Sequence, residues 1–139
     1  MKLADLMTPN VRSVSPDDSV HTAAKTMRDH DVGCLPVVKD KQVVGLLTDR
    51  DVTIRAVADA RDPKSSTVRE IMSTDPACLH DDDDADKAER LMKQRKFRRI
   101  IVLDRKDSPC GVVSLGDLAT HNLARDDVAQ VLESVSTGN

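Results

Sequence analysis

Aromatic side chains are nearly absent: the 139 residues include one Phe and no Trp or Tyr. Any core must therefore be filled by Val, Leu, Ile, Ala and Met. An excess of basic charge is missing as well. Lys and Arg total 21 against 24 Asp and Glu, a net charge of -3, which argues against general nucleic-acid binding because that needs a basic face to displace counterions from phosphates. No run approaches the ~20 consecutive apolar residues of a membrane span, and the N-terminal residues carry no apolar core of a secretory signal. Cysteine is sparse: Cys34, Cys78 and Cys110 are an odd count with neither CxxC nor His-Cys spacing. The expectation is free thiols acting as small core residues in a reducing, cytoplasmic setting.

Catalytic and metal-ligating patterns are missing too. His21, His30, His80 and His121 share no ligand spacing, and no Ser-His-Asp or Cys-His arrangement is legible. The run Asp81-Asp82-Asp83-Asp84 lacks the alternating ligands and glycine of a calcium loop. Acidic residues at a helix start account for it without a metal. No catalytic residue and no metal site is read, and the chain is taken not to be an enzyme.

What the chain does contain is a stretch that occurs twice. Val43-Val44-Gly45-Leu46-Leu47-Thr48-Asp49-Arg50-Asp51 returns as Cys110-Gly111-Val112-Val113-Ser114-Leu115-Gly116-Asp117, with the shared glycines 66 residues apart. Each copy is a β-rich apolar run, a hydroxyl residue, two residues, then an aspartate opening a helix. Upstream, Leu6-Met7-Thr8 matches Ile71-Met72-Ser73 at a spacing of 65, so one residue is inserted in the hairpin between. The chain is two tandem copies of a unit of about 60 residues. Each is near the lower size limit for burying a core, so the copies are expected to pack together.

Taken in order, Lys2 to Met7 has the apolar spacing of one helical turn, ended by Pro9. Val11 to Val14 alternates and reads as a short strand. Ser15 to Ser19 is a helix start, and Val20, Ala23, Ala24 and Met27 form the face of the helix that follows. Cys34 to Val38 and Gln42 to Leu47 are the strands of a hairpin around Lys39-Asp40-Lys41. Asp49 to about Ala60 is a second helix, with Val52, Ala56 and Ala60 along one face. The second copy repeats the order: a turn at Val68 to Met72, a strand at Ala77 to Leu79, and a helix carrying Ala85, Ala88, Leu91 and Met92. A hairpin of Ile100 to Leu103 and Gly111 to Ser114 then leads into a helix from Leu115 to about Leu123. The expected boundaries are repeat one at 1–62, a polar proline-containing linker at 63–66, repeat two at 67–125, and a C-terminal amphipathic helix and tail at 126–139. The fold class is α/β in the α+β sense: two β-α-β-β-α repeats.

Such a tandem unit, with Leu35-Pro36-Val37-Val38 before the hairpin turn and Gly-apolar-apolar-Thr/Ser-x-x-Asp after it, resembles the CBS domain pair, or Bateman module. The match covers roughly residues 3 to 125. Met7-Thr8-Pro9 and Gly45 to Asp51 follow the family pattern, while repeat two has Ile101 where the family often has proline and His80 where it often has Ser or Thr. Leu47-Thr48-Asp49-Arg50-Asp51, followed by a Val/Ile-rich helix and then Asp62-Pro63, is similar to stand-alone pairs of the hypoxic response type, which implies a role in a stress response. The resemblance implies a pseudo-twofold arrangement with two clefts that sense adenosine nucleotides.

Carried over by residue, one cleft would use Ser114 and Asp117 with Asn10, Arg12, Val32 and Gly33, the other Thr48 and Asp51 with Asp75, Ala77, Phe97 and Arg98. Arg98 and Arg99 stand where the family often places phosphate-binding residues; repeat one has Gly33-Cys34 there, so a phosphate clamp would be one-sided. The chemistry is sound. A carboxylate can take both hydroxyls of a ribose, a helix start attracts an anion, and guanidinium groups grip phosphate in a fork. Strand amides and aliphatic side chains can hold adenine. The plainer alternative stays open: Thr48 and Ser114 as helix caps, Asp51 and Asp117 as residues that stabilise the helix dipole, and Lys93 to Arg99 as a solvated helix end.

The resulting expectation is a regulatory module that binds AMP, ADP, ATP, S-adenosylmethionine or NADH as ligand, requires no cofactor, and relays its state to an unidentified regulated protein. The alternative is a ligand-independent dimeric scaffold with vestigial clefts. Family pairs associate as disc-like homodimers through their helices, and Ala23, Ala24, Ala56, Ala60 and Ala88 fit close helix approach or internal packing equally.

Overall fold

The computed structural model describes residues 1–121. The C-terminal helix and tail expected at 126–139, and the end of the helix expected to reach Leu123, lie outside the described residues. Two compact units emerge. One is Val11–Pro76; the other joins Met1–Asn10 to the chain from Ala77 onward. Among the described residues, no helix is long and apolar enough to cross a membrane.

The Val11–Pro76 unit contains α1 (Val20–His30), β2 (Cys34–Lys39), β3 (Gln42–Thr48), α2 (Asp49–Asp51) and α3 (Val68–Ile71). Ser19 caps α1 by accepting from the Thr22 N–H at 3.0 Å, and Asp31 ends it with a left-handed φ of 52°. β2 and β3 pair antiparallel with a bulge after Val37, and their two-residue turn is Asp40-Lys41, both at positive φ. That is the turn whose twist matches the strands it joins. The hairpin extends on both sides by single bridges, Val14 to Val37 in parallel and Ser73 to Leu46 antiparallel. Val20, Ala23, Leu35, Val37, Leu47, Val68 and Ile71 meet in one core. Each Leu or Ile sealed there contributes roughly 1.5–3 kcal/mol.

The other unit contains a 3-10 turn at Leu3–Asp5, β1 (Thr8–Pro9), β4 (Cys78–His80), α4 (Ala85–Arg95), β5 (Arg99–Leu103), β6 (Pro109–Ser114) and α5 (Leu115–His121). Its sheet runs β1-β6-β5-β4, with β4 parallel to β5 and the other pairs antiparallel. Asp84 caps α4, and Lys96 ends it at φ 57°. Leu3, Ala88, Met92, Ile100, Val113 and Leu118 fill the core. Aliphatic residues and methionine fill both cores, as the lack of aromatics requires.

The hydrogen bonding repeats between units. Val68 N–H donates to the Asp18 carbonyl as Leu3 N–H does to Asp83, and Ser15 N–H donates to the Asp18 carboxylate as His80 N–H does to Asp83. The inserted residue falls between Leu103 and Pro109, where five residues stand in place of the four between Val38 and Val43.

Three expectations need correction. Val11 to Val14 is not a strand but a bridge at Val14 alone. The cause is Pro36: in the other unit Ile101 N–H donates to the Ala77 carbonyl at 2.9 Å, a rung that proline cannot supply. The helix from Asp49 is α-helical only to Asp51 and continues as a π-helix over Val52–Val57, with Ala58 N–H reaching back to the Thr53 carbonyl. Val52, Thr53, Ile54 and Val57 are β-branched and crowd an α-helical turn. Ala60 is exposed rather than part of a buried face, because the chain has turned left-handed there with φ 56°.

Candidate functional site

Both copies of the repeated motif are built alike. Thr48 ends β3 in extended conformation, its Oγ1 accepts from the Asp51 N–H at 3.1 Å, and the Asp51 Oδ2 accepts from the Thr48 N–H at 2.9 Å. Ser114 ends β6 in the same manner: its Oγ accepts from the Asp117 N–H at 3.1 Å, and Asp117 Oδ2 accepts from the Ser114 N–H at 2.8 Å. Each is a reciprocal capping box. The hydroxyl and the aspartate therefore do cap a helix, and that role occupies one oxygen of each carboxylate. Asp51 is buried, whereas Asp117 is half-buried.

The glycine of the motif has a packing cause. A Cβ on Gly45 would stand 2.8 Å from both the Met72 sulfur and the Ser73 carbonyl oxygen, and one on Gly111 would meet Met7 and stand 2.9 Å from the Thr8 carbonyl oxygen. The segment ahead of the next strand lies directly on the strand backbone. Asn10 and Asp75 follow those segments, both at φ 57°, a left-handed conformation that Asn and Asp tolerate better than most residues.

The other expected site residues fall as follows. Arg12, Val32, Gly33, Thr48, Asp51 and Asp75 belong to the Val11–Pro76 unit; Asn10, Ala77, Phe97, Arg98, Arg99, Ser114 and Asp117 belong to the other. Gly33 offers its carbonyl to the Asp49 N–H at 2.9 Å, and Arg98 offers its own to the Leu115 N–H at 2.9 Å. Arg99 is paired opposite Ser114 across β5 and β6. Each Gly33-type position thus touches the helix start of its own repeat. Arg12 and Arg98 are exposed, and Val32, Phe97 and Arg99 are half-buried. The Arg95 guanidinium stands 5.3 Å above the Phe97 ring, a cation–π contact.

One residue escaped the sequence reading. Arg55 Nη1 donates to the carbonyls of Ile71 and Met72, each at 3.2 Å, and its Nε stands 3.9 Å from Asp51 Oδ1. The i,i+4 spacing of Asp51 and Arg55 was the available signal. Among the described residues, no group of three His, Cys, Asp or Glu side chains is arranged to hold a metal ion. The three cysteines are half-buried thiols, and burial pushes Cys78 and Cys110 up, with Asp81 and Asp104 adding to the effect on Cys110.

Comparison with known proteins agrees with this architecture. The CBS domain profile matches residues 3–57 and 68–123. The CBS domain-containing protein YhcV of Bacillus subtilis is 36% identical over 135 residues, which span 97% of this chain and 95% of that protein. Hypoxic response protein 1 of Mycobacterium tuberculosis is 28% identical over 132 residues, 94% of this chain and 91% of that protein. A crystal structure of hypoxic response protein I with two coordinated zinc ions matches with a TM-score of 0.74 at 29% identity, covering 87% of this chain and 98% of that one. The crystal structure of CBSX2 in complex with AMP, a protein of Arabidopsis thaliana, matches with a TM-score of 0.68 at 27% identity, covering 88% of this chain and 96% of that one. The chain belongs to the CBS domain family and carries two copies of the domain.

Proposed function

We propose that the chain is a regulatory module that binds an adenosine-containing nucleotide at its Thr48–Asp51 and Ser114–Asp117 motifs and passes the bound state to a partner protein. The observation that carries this reading is the shared geometry: in each unit a carboxylate is fixed at a helix start through Oδ2, beside a hydroxyl residue ending a strand. The AMP complex of the similar protein CBSX2 supports the adenosine class. Asp51 and Asp117 hold ribose hydroxyls, Thr48 and Ser114 stand near the phosphate, and Arg98 and Arg99 offer guanidinium groups to it. Asn10, Arg12, Val32, Gly33, Asp75, Ala77 and Phe97 complete the proposed contacts. A ligand with unequal affinity for two states of the chain shifts their populations by that difference. The chain acts as a homodimer, and a monomer mass by light scattering at micromolar concentration would refute that part.

The test begins with an ultraviolet spectrum of freshly purified protein and mass spectrometry of what heat releases. With no Trp or Tyr, a co-purified nucleobase would dominate the spectrum. Calorimetry with AMP, ADP, ATP, S-adenosylmethionine and NADH follows, on the parent and on Asp51→Ala and Asp117→Ala. Binding unchanged in both variants sinks the assignment. A second reading, a dimeric scaffold that needs no ligand, is favoured by one observation: both aspartates already serve as capping residues. It gains if no ligand shifts the melting temperature.

A further inference from the structure

We infer that Arg55 determines specificity at the Thr48–Asp51 motif, selecting ligands that present a free hydroxyl to the gap between its guanidinium and the Asp51 carboxylate. This rests on the nucleotide reading of that motif and adds to it the group that reads the sugar.

Both sides of the gap are anchored. Arg55 Nη1 donates to the Ile71 and Met72 carbonyls, each at 3.2 Å. These lie at the end of α3, where carbonyls lack partners within their own helix. On the other side, Asp51 Oδ2 is held by the Thr48 N–H at 2.9 Å, so the carboxylate cannot turn to close on the arginine without losing its cap. Between the anchors, Nε and Oδ1 stand 3.9 Å apart. That is too long for a hydrogen bond and suits one oxygen about 2.8 Å from each.

An atom bridging them must accept from the Nε–H and donate to Oδ1. A hydroxyl does both; a carbonyl, a methylene or an ammonium does not. The Asp51 side chain is only 11% exposed whereas that of Arg55 is 51% exposed, so the gap has one sheltered wall and one open to an incoming hydroxyl. Arg55 projects from the π-helical turn Val52–Val57, and single π-turns are frequent at functional sites. In the other repeat the fourth residue after the aspartate is His121, whose ring has no fork with which to hold two carbonyls and face a third oxygen. The selection therefore belongs to one motif of the two.

The test compares AMP with its 2′-deoxy and 3′-deoxy analogues by calorimetry. All proteins carry Asp117→Asn, so that one motif reports. The parent is expected to bind AMP roughly ten-fold tighter than at least one analogue, the loss of a charge-assisted hydrogen bond. Arg55→Met is expected to lower that ratio several-fold by weakening AMP more than the disfavoured analogue, the remaining preference being the bond the hydroxyl keeps to Asp51. Arg55→Lys keeps the charge and should lower the ratio equally, and it carries the test if Arg55→Met fails to melt cooperatively. An undiminished ratio in a folded Arg55 variant, with AMP binding still lost in Asp51→Ala, overturns the role of Arg55 alone. Equal weakening of AMP and both analogues also overturns it, because that marks a general charge effect. No AMP binding by the parent, or none lost in Asp51→Ala, overturns the nucleotide reading and this inference together.

Discussion

Met72 covers Gly45 so closely that a β-carbon there would stand 2.8 Å from the methionine sulfur, and also 2.8 Å from the Ser73 carbonyl oxygen. A flexible thioether can move aside, but the Ser73 carbonyl cannot, because Ser73 and Leu46 exchange backbone hydrogen bonds at 2.9 and 3.0 Å. Gly45→Ala is thus expected to destabilise the chain by about 1–3 kcal/mol, as overpacking does. Adding Met72→Ala should recover only part of that loss in a urea denaturation cycle. Full recovery would mean that the side chain, not the backbone, sets the requirement for glycine.

Capping and binding can be separated at Asp51. Asp51→Asn keeps an oxygen able to accept from the Thr48 N–H, so its melting temperature should remain near that of the parent while AMP affinity falls. Thr48→Ala and Ser114→Ala each remove a cap and should cost about 1 kcal/mol of stability, measured by chemical denaturation. If Asp51→Asn melts as early as Asp51→Ala, the carboxylate charge carries the cap and the separation fails.

His80 supplies the pH dependence. Its Nε2 lies 2.7 Å from Asp107 Oδ1, and that hydrogen bond, helped by the charges of Asp107, Asp83 and Asp82, raises the histidine above its ordinary value near 6.5. A raised histidine contributes stability that is complete below pH 6.5 and is lost as pH climbs through the higher folded value. Asp107→Asn should lower the His80 titration midpoint in an NMR titration, and its stability deficit should shrink as the solution becomes alkaline. A midpoint that does not move removes the pair from the account. Asp83 has the opposite sign: the His80 N–H and then Lys87 hold its carboxyl below the ordinary range, so its share is lost in acid as pH falls through the folded value.

Chain division is testable by truncation. Residues 11–76 contain Val14, Leu35, Leu47, Val68 and Ile71, all members of one buried cluster. That fragment should show a cooperative thermal transition by circular dichroism. Residues 1–62 lack Val68 and Ile71, both fully buried, and should not. A cooperative transition in the shorter fragment would show that α3 is dispensable to the core.

Local chemistry was enough to read the repeat, the order of its elements and the residues of the motif from the sequence alone. Ser19 and Asp84 are caps wherever a helix starts, the turn at Asp40-Lys41 follows from a short polar segment between two apolar, β-rich runs, and a paucity of aromatics commits the core to aliphatic side chains. The tertiary structure decided three matters that depend on residues distant in the chain. Pro36 reduces Val11–Val14 to a single bridge because its missing N–H matters only opposite Val14's segment. Gly45 and Gly111 are required because Met72 and Met7 lie on them, a close approach that no spacing announces. The i,i+4 spacing hinted at a pairing of Arg55 with Asp51, but only the carbonyls of Ile71 and Met72 show how the arginine is held. Spacing and propensity act within a turn or a hairpin, whereas each of these contacts joins residues at least 16 apart in the chain and exists only after the core has formed.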